Sequence, residues 1–214
     1  MAVSLPNGAT VSIASTYATL KNMTAITNAA QAVATLEASH GVAVSDILEV
    51  SSGWSKLNNR IVRASAVATN DVTFEGINTT STSRYPAGSG TGSVRKITAW
   101  TQITQVLDSS TSGGEQQFTS YSFLEDDTER QIPTVKSAQS ITFNVADDST
   151  RPHYTVLVTA DEDRIPRAIR VVLPTGAVLY YNAYVTFNKT PTLTKNEVMA
   201  NQVTLSLVAD PTRY

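Results

Sequence analysis

Three strand-like runs within Lys96–Val145 constrain the fold of this chain more than any other feature. Two of them, Lys96–Leu107 and Gln117–Leu124, are long beside ordinary strands of about 5–6 residues. In the third, Ser140–Val145, apolar and polar residues alternate, which gives a strand one buried and one solvated face. A charged, Pro-containing segment, Glu125–Ser137, separates the second run from the third. We therefore predict a long hairpin that projects from its own domain and needs a partner surface.

The residues around this hairpin predict further strands and one short helix. Gly113-Gly114 marks the expected first turn of the hairpin. Asp147-Asp148-Ser149 and Pro152 predict a helix start, and Tyr154, Leu157 and Val158 give an apolar face, so we expect a helix over 150–161. The remaining predicted strands of this part are Arg167–Leu173, Ala177–Phe187 and Asn201–Ala209.

The first part of the chain predicts short strands at close spacing, which is typical of a small barrel or sandwich. These strands are Thr10–Ala14, Met23–Thr27, Ala32–Glu37, Asp46–Val50, Arg60–Ala64 and Asp71–Gly76. The Ala-rich run Ala25–Ala38 also has helical propensity, but its β-branched residues favour strands. Asn78–Ser93, rich in Gly, Ser and Thr, predicts a flexible connection. We expect residues 1–17 and 95–214 to form the main domain and residues 18–94 to form an inserted module.

The composition favours a subunit that covers its polar faces with neutral side chains. Charged residues make up 16% of the chain, below a typical ~25%, and Ser and Thr fill the gap. Low charge also suits a protein that buries surface against copies of itself. The net charge of −2 and the absence of a dense basic patch argue against nucleic-acid binding.

The sequence contains none of the patterns that would indicate an enzyme, a cofactor or a metal. The chain has no Cys, and its two histidines, His40 and His153, lack zinc-ligand spacing. Gly88–Ser93 is followed by a strand, so it is not a phosphate-binding loop. No Gly-x-Ser-x-Gly elbow occurs. No apolar run reaches the ~20 residues of a membrane span, and no signal peptide is recognisable, so we expect the protein to remain in the cytoplasm of the cell that makes it.

Taken in order, the segments of Lys96–Tyr214 resemble the tail tube proteins (major tail proteins) of long-tailed, non-contractile bacteriophages. The resemblance rests on a co-linear series: Arg95–Thr101, Glu129–Ser137, Ser140–Val145, the helix, Pro166–Arg170, Leu173–Gly176, Tyr180–Val185, Asn188–Leu193 and Asn196–Val198. It implies a mainly β fold, a tail-tube-type sandwich or barrel with one short helix and a long hairpin.

The segment Thr24–Ile77 resembles a small β-barrel module that is inserted in many phage structural proteins. The matching residues are Ala32–Thr35, His40-Gly41, Asp46, Leu57–Arg60 and Val72–Phe74. In that module a Gly-Asp pair is common, whereas here Ser45 precedes Asp46. We expect the module on the outer surface of an assembly, where an insertion is best tolerated.

The resemblance implies a virion role without enzymatic activity. Hexameric rings would pair their sheets into a continuous barrel, and stacked rings would form a tube whose lumen conducts genomic DNA without sequence-specific binding. Further partners would be other tail proteins (tape measure, tail tip and terminator), with no membrane and no cofactor. Assembly would take place in the cytoplasm of the host bacterium. Such a lumen should be weakly repulsive to DNA, with carboxylates rather than Lys or Arg.

We assign candidate residues to three roles on this basis. The candidates for contacts between rings are Glu125, Asp126, Asp127, Glu129, Arg130, Ile132, Pro133 and Lys136. The candidates for pairing between neighbouring subunits are Ile97, Trp100, Ile103, Phe118, Tyr121 and Phe123. The candidates for an acidic lumen are Glu115, Asp126 and Glu129.

Two alternatives remain open at this point. The first is a related tail component with the same fold, either a terminator or the inner tube of a contractile tail. The second is a carbohydrate-binding β-sandwich that stacks sugars on Trp54 and Tyr side chains.

Overall fold

The computed structural model describes residues 7–214, and these residues form strands connected by short loops, together with one helix. Residues 1–6 of the expected first segment, 1–17, lie outside the described residues. The strands of the first part are β1 (Thr10–Tyr17), β2 (Lys21–Ile26), β3 (Val33–Leu36), β4 (Ile47–Ser52), β5 (Ile61–Ala68) and β6 (Asp71–Phe74). The predicted strands of this part are therefore confirmed, and no helix forms over the Ala-rich run.

The second part contains the long strands and the helix. Its elements are β7 (Gly92–Ile103), β8 (Val106–Ser112), β9 (Gln116–Tyr121), β10 (Arg130–Lys136), β11 (Ser140–Ala146), α1 (Pro152–Asp163), β12 (Arg167–Val172), β13 (Val178–Phe187), β14 (Ala200–Leu207) and β15 (Thr212–Arg213). The predicted helix is confirmed two residues further along the chain. The mainly β fold class with one helix is also confirmed.

β2 to β6 and the first residues of β7 close into a small barrel. The antiparallel pairs run β2–β3, β3–β6, β6–β5, β5–β4, β4–β7 and finally β7–β2. Each strand therefore has a hydrogen-bonded neighbour on both sides, and the barrel has no free edge at these pairs. Its core packs around Trp54, Leu48 and Phe74, which are all nearly inaccessible to solvent.

The segment predicted as a flexible connection, Asn78–Ser93, packs against one end of the barrel. The Thr79 side chain is fully buried, and its hydroxyl donates a hydrogen bond to the Thr27 carbonyl at 2.8 Å. The Trp54 indole donates to the Pro86 carbonyl at 2.7 Å. The buried Tyr85 ring meets the Trp54 ring edge to face. These contacts order the segment, although its composition alone is typical of a linker.

Beyond the barrel, the strands form one continuous antiparallel ladder. From Ile97 onwards β7 pairs with β1, and the order continues β1-β12-β13-β14-β11-β8. β13 joins two halves of the ladder, because its residues 178–183 pair with β12 and its residues 183–187 pair with β14. β7 likewise crosses the boundary expected near Arg95 without interruption.

One face of this ladder forms the main core under α1. Alternating residues of β11, β13 and β14, with β1, β7 and β12, supply its apolar side chains. Leu157 and Ala160 of α1 are fully buried against them. α1 begins at Pro152, a residue that tolerates the first helical turn because its missing N–H has no partner to lose there. Asp148 does not cap the helix; its carboxylate instead accepts hydrogen bonds from Thr150 and Arg151 in the preceding turn.

The barrel covers half of the opposite face of the ladder. Ile61, Ile97 and Tyr180 belong to a small core between the two parts. The buried Tyr17 hydroxyl accepts a hydrogen bond from the Ala168 N–H at 2.9 Å, and burial raises the pKa of this tyrosine to about 12. The Arg95 guanidinium lies 4.1 Å from the centre of the Tyr17 ring. The barrel therefore packs on the ladder through apolar side chains, and polar contacts fix its orientation.

A second contact between barrel and ladder involves the last residue of the chain. The Tyr214 hydroxyl accepts a hydrogen bond from the Arg63 N–H and donates one to the Glu75 carbonyl, at 2.8 and 3.2 Å. The Arg63 guanidinium binds the Glu75 carboxylate, with Nη2 and Oε1 2.6 Å apart, and this hydrogen bond holds the pKa of Glu75 below its usual value.

The long hairpin exists, but its strands differ from the prediction. β8 pairs with β11, and β9 pairs with β10 as a separate two-stranded sheet that continues the same ribbon. Gly113-Gly114 is therefore a kink within one side of the ribbon, and the chain reverses at residues 122–129. The predicted loop Glu125–Ser137 is wrong in its second half, because Arg130–Lys136 is a strand. Pro133 is tolerated because β10 is an edge strand of its two-stranded sheet and its pairing is irregular between Pro133 and Lys136.

Ser45, in the turn before β4, has a φ of 73°. This left-handed conformation favours Gly, the residue common at this place in the resembling module. The turn is held on its other side by Asp46, whose Oδ2 accepts the Ala43 N–H and lies 2.7 Å from the Lys96 ammonium.

We predict that Ser45→Gly stabilises the protein by about 0.5–1 kcal/mol, because relief of the left-handed strain exceeds the entropy that Gly loses on folding. The free energy of unfolding in urea measures this change. Ser51→Gly is the matched control, since Ser51 lies within β4 and the same substitution in a strand should destabilise. Equal effects of the two substitutions would contradict the prediction.

Gly113 has a φ of +77°, and a Cβ on it would overlap the Ala138 carbonyl oxygen across the ribbon. We predict that Gly113→Ala disrupts the kink and loosens the ribbon beyond it, so that trypsin cleaves faster after Arg130 and Lys136. Gly114→Ala is the matched control: its φ is +83°, but an added Cβ would meet only the Gln139 side chain at 3.6 Å. Cleavage at the same rate in both variants would show that the overlap at Gly113 is not what fixes the kink.

Candidate functional site

β9 and β10, with the connecting residues 122–129, form an arm that no other described part of the chain covers. Every residue of β10 is exposed, as are all residues of β9 except the half-buried Tyr121. A two-stranded hairpin without a packing surface is marginally stable in water. The arm is therefore the part of this chain that most needs a partner.

Apolar side chains occupy both faces of the arm. Phe118 and Pro133 are cross-strand partners on one face, and Phe118 is 56% exposed. Ile132 lies opposite Thr119 on the other face and is 49% exposed. An isolated exposed apolar residue is ordinary, whereas apolar residues on both faces of a thin ribbon indicate contacts on both sides.

Residues 122–129, which we call the tip, combine exposed apolar side chains with four carboxylates. Leu124 is fully exposed, and Phe123 stacks edge to face on Tyr121 at 5.5 Å between ring centres. The Asp126 carboxylate binds the Arg130 guanidinium at 2.7 Å. Glu125, Asp127 and Glu129 form no ion pair with any residue from 7 to 214.

A second surface is the half of the ladder face that the barrel leaves open. The cross-strand register of β8, β11, β14 and the end of β13 aligns its side chains in rows. We call this surface the hydroxyl face; its members are Asp108, Ser110, Ser112, Ser140, Thr142, Asn144, Tyr184, Thr186, Gln202, Thr204 and Ser206. None of them is buried, none is cationic, and Asp108 is the only charged member.

Side chains of the hydroxyl face bind one another across the strands. The Ser112 and Ser140 hydroxyls are 2.8 Å apart, and the Asn144 amide donates to the Asp108 carboxylate at 2.8 Å. Most of the face is therefore neutral, and its one carboxylate already has a hydrogen-bond donor.

β8 forms an edge of the ladder beside the hydroxyl face. Within the described residues it pairs only with β11, so its other backbone edge lacks a strand partner. Leu107 on this strand is half exposed, and the nearby Val198 is 63% exposed. An open edge of this length is a site at which another chain can add a strand.

A groove of about 460 Å³ lies where the arm joins the body. Three segments line it: the loop between β4 and β5, the base of the arm, and the residues that follow β14. Its charged side chains are Lys56, Lys136 and Asp210, of which Lys56 and Asp210 pair at 3.8 Å. Lys136 has no acidic partner among the described residues. We call this cavity the basal groove.

The structure gathers the predicted ring-contact residues on the arm. Glu125, Asp126, Asp127 and Glu129 lie in the tip, and Arg130, Ile132, Pro133 and Lys136 lie on β10. The acidic candidate Glu115 lies at the arm base, and Asp126 and Glu129 lie in the tip. None of these three carboxylates lies on the hydroxyl face.

The residues predicted to pair between subunits separate into two groups. Phe118, Tyr121 and Phe123 lie on the arm. Ile97 and Ile103 are 6% and 2% exposed and belong to the cores of the subunit itself, so their side chains are not available to a neighbour. Trp100 is half buried against Tyr180 and under the Arg170 guanidinium.

Trp54, expected to stack sugars in the carbohydrate-binding alternative, is 1% exposed and part of the barrel core. It presents no ring face to a ligand. His40 lies in the turn before Gly41, and its Nδ1 accepts the Val42 N–H at 3.0 Å. Burial lowers the pKa of His153, whose ring lies beside Thr104. Residues 7–214 contain no cluster of His and acidic side chains suited to a metal ion, and no helix among them could cross a membrane.

The hydroxyl face and the basal groove are the surfaces that sequence reasoning missed. The alternation of Thr204 and Ser206 with buried Val203 and Leu205 signals an exposed face of β14. It does not reveal that β8, β11 and β13 align similar residues beside it. The groove joins three distant segments, so no local pattern predicts it.

Comparison with known proteins identifies a family. A search of curated proteins gives no match. Among solved structures, the anti-feeding prophage baseplate contains a similar chain with 11% identity and a TM-score of 0.41, covering 55% of this chain and 85% of that one. The sheath–tube complex of an extracellular contractile injection system contains another similar chain, with 14% identity and a TM-score of 0.35, covering 49% of this chain and 78% of that one.

The family model described as phage tail tube protein, TTP, matches residues 52–214. This range is most of the chain, and it includes the whole arm and every ladder strand from β7 onwards. The chain belongs to the phage tail tube protein family.

Proposed function

We propose that this protein is the repeating subunit of a phage tail tube, in which hexameric rings stack around a lumen that conducts DNA. The arm carries the proposal, because its two apolar faces and acidic tip have no covering surface within residues 7–214. Burying such a ribbon against other copies removes apolar area from water and supports a hairpin that is marginal alone. The arm candidates from Glu125 to Lys136 are the proposed contacts between rings.

Within a ring, the open edge of β8 is the proposed site of pairing with the neighbouring subunit. Strand addition there would satisfy the backbone groups that the ladder leaves free. Because Ile97 and Ile103 are used in the subunit's own cores, we exclude their side chains from this contact. Closing the sheet into a ring in this way also leaves no edge on which aggregation can start.

The hydroxyl face is the proposed wall of the lumen. Proteins hold DNA chiefly through Lys and Arg contacts with phosphates, which release counterions on binding. Neutral hydroxyls and amides offer no such contact, and Asp108 repels phosphate. The carboxylates of Glu115, Asp126 and Glu129 would border the lumen only where rings meet. In the virion, the tube would join other tail proteins at its ends, after assembly in the host cytoplasm.

Purified protein tests the assembly directly. We expect electron microscopy to show rings or tubes about 100 Å wide, an order-of-magnitude value for six subunits of this size. A protein that remains monomeric at high concentration, with a trypsin-resistant arm, would contradict the proposal.

A single cysteine tests the lumen, because the chain has no Cys of its own. We expect Thr204→Cys to react with a small maleimide in both monomers and tubes, but with a maleimide-polyethylene glycol of several kilodaltons in monomers alone. Val44→Cys is the control: Val44 is 57% exposed on the barrel and should react with both reagents in both states. Equal labelling of Thr204→Cys by the large reagent in tubes and monomers would place the hydroxyl face outside the lumen.

A further inference from the structure

The basal groove is a cavity to which the proposed function assigns no role. It measures about 460 Å³ and combines apolar and cationic lining residues at the body end of the arm. The lining residues that matter here are Lys56, Lys136, Ala138, Leu207, Val208 and Pro211. The groove is partly open to solvent, so a protruding segment has access to it.

The tip has the complementary chemistry. Leu124 is fully exposed and lies next to Glu125, and three of the four tip carboxylates lack an ion-pair partner within the described residues. The Lys136 ammonium of the groove has no acidic partner among the described residues, whereas Lys56 pairs with Asp210 at 3.8 Å. Two ammonium groups against one carboxylate leave the groove with a net positive charge. The tip, with Leu124 beside carboxylates, is therefore complementary to the basal groove, with apolar lining residues beside the ammonium groups of Lys136 and Lys56.

The tip cannot reach the groove of its own chain. β10 begins beside the tip at Arg130 and ends in the groove at Lys136. With a rise of about 3.3 Å per residue, this extended strand holds the tip and groove about 20 Å apart. Any contact between them must therefore join two copies of the chain.

We propose that the tip of one subunit docks in the basal groove of a subunit in the next ring, with Leu124 against Ala138 and Val208 and the tip carboxylates beside Lys136 and Lys56. This inference rests on the proposed function. The contact joins two different surfaces of the same chain, and it stays open because each repeat advances by one ring along the tube axis. Repeating the contact between tip and groove lengthens the tube, whereas the strand pairing proposed at the β8 edge closes each ring.

The absence of native cysteines permits a crosslinking test in the full chain. In tubes of the double variant Leu124→Cys/Ala138→Cys, mild oxidation should produce a ladder of covalent multimers that continues beyond the hexamer. Contacts within a ring would stop at the hexamer. The pair Leu124→Cys/Val44→Cys is the control and should give no ladder, since Val44 lies on the barrel. If oxidation of Leu124→Cys/Ala138→Cys tubes produces no ladder of covalent multimers, the docking is overturned.

Charge reversal provides an independent measurement. We expect Lys136→Glu to leave rings intact and to raise the protein concentration needed for tube growth about tenfold, because it opposes the tip carboxylates. Adding Asp127→Lys in the same chain should restore growth. Unchanged tube growth by Lys136→Glu, or no restoration by Asp127→Lys, would overturn the docking while leaving the tube function in place. Wild-type protein that forms no rings at all would instead overturn the proposed function.

Discussion

β7 determines how the rest of the molecule is arranged, because this one strand forms backbone hydrogen bonds with both the barrel and the ladder. Its first residues lie between β2 and β4 and close the barrel, and from Ile97 onwards it pairs with β1 in the ladder. The barrel therefore cannot rotate on the ladder without breaking this strand. Glu49 reinforces the joint, since its carboxylate binds Arg95 of β7 at 2.8 Å and accepts a hydrogen bond from Asn182 of β13 at 3.3 Å.

This rigid joint explains why the uncovered surfaces are concentrated at one side of the molecule. The barrel shields the ladder face over β12, β1 and β7, and α1 covers the main core on the other face. Within the described part of the ladder and its ribbon, the arm, the edge strand β8 and the hydroxyl face remain uncovered. All three belong to the ribbon from β8 to β11 or to the strands beside it, within the region that matches the tail tube family. The surfaces available for assembly are thus the ones that the fold does not use for its own stability.

Much of the fold follows from local sequence signals. The alternation of Ile141, Phe143 and Val145 predicts β11 and its buried face, and Pro152 with Leu157 predicts α1. β10 was missed because charges and Pro133 are unfavourable in most strands, and the edge position and irregular pairing that tolerate the proline have no local signature. Gly113-Gly114 predicts a turn equally well as a kink, since both need positive φ.

The candidate assembly surfaces were harder to predict from the sequence. The burial of Ile97 and Ile103 depends on the docking of the barrel, which alternation within β7 does not reveal. The order in Asn78–Ser93 likewise depends on hydrogen bonds from Trp54 and Thr79 that join distant segments. The exposure of the arm, by contrast, could be predicted from composition, because charged residues concentrate between Glu125 and Lys136.

The hydrogen bonds within the hydroxyl face have a mechanical consequence. Where Ser112 meets Ser140 and Asn144 meets Asp108, donors and acceptors are already engaged with each other across the strands. At these two pairs, a polymer moving over the proposed lumen wall would therefore meet side chains that already bind each other. We expect such a wall to bind a sliding polymer more weakly than one on which these hydroxyl and amide groups lacked partners.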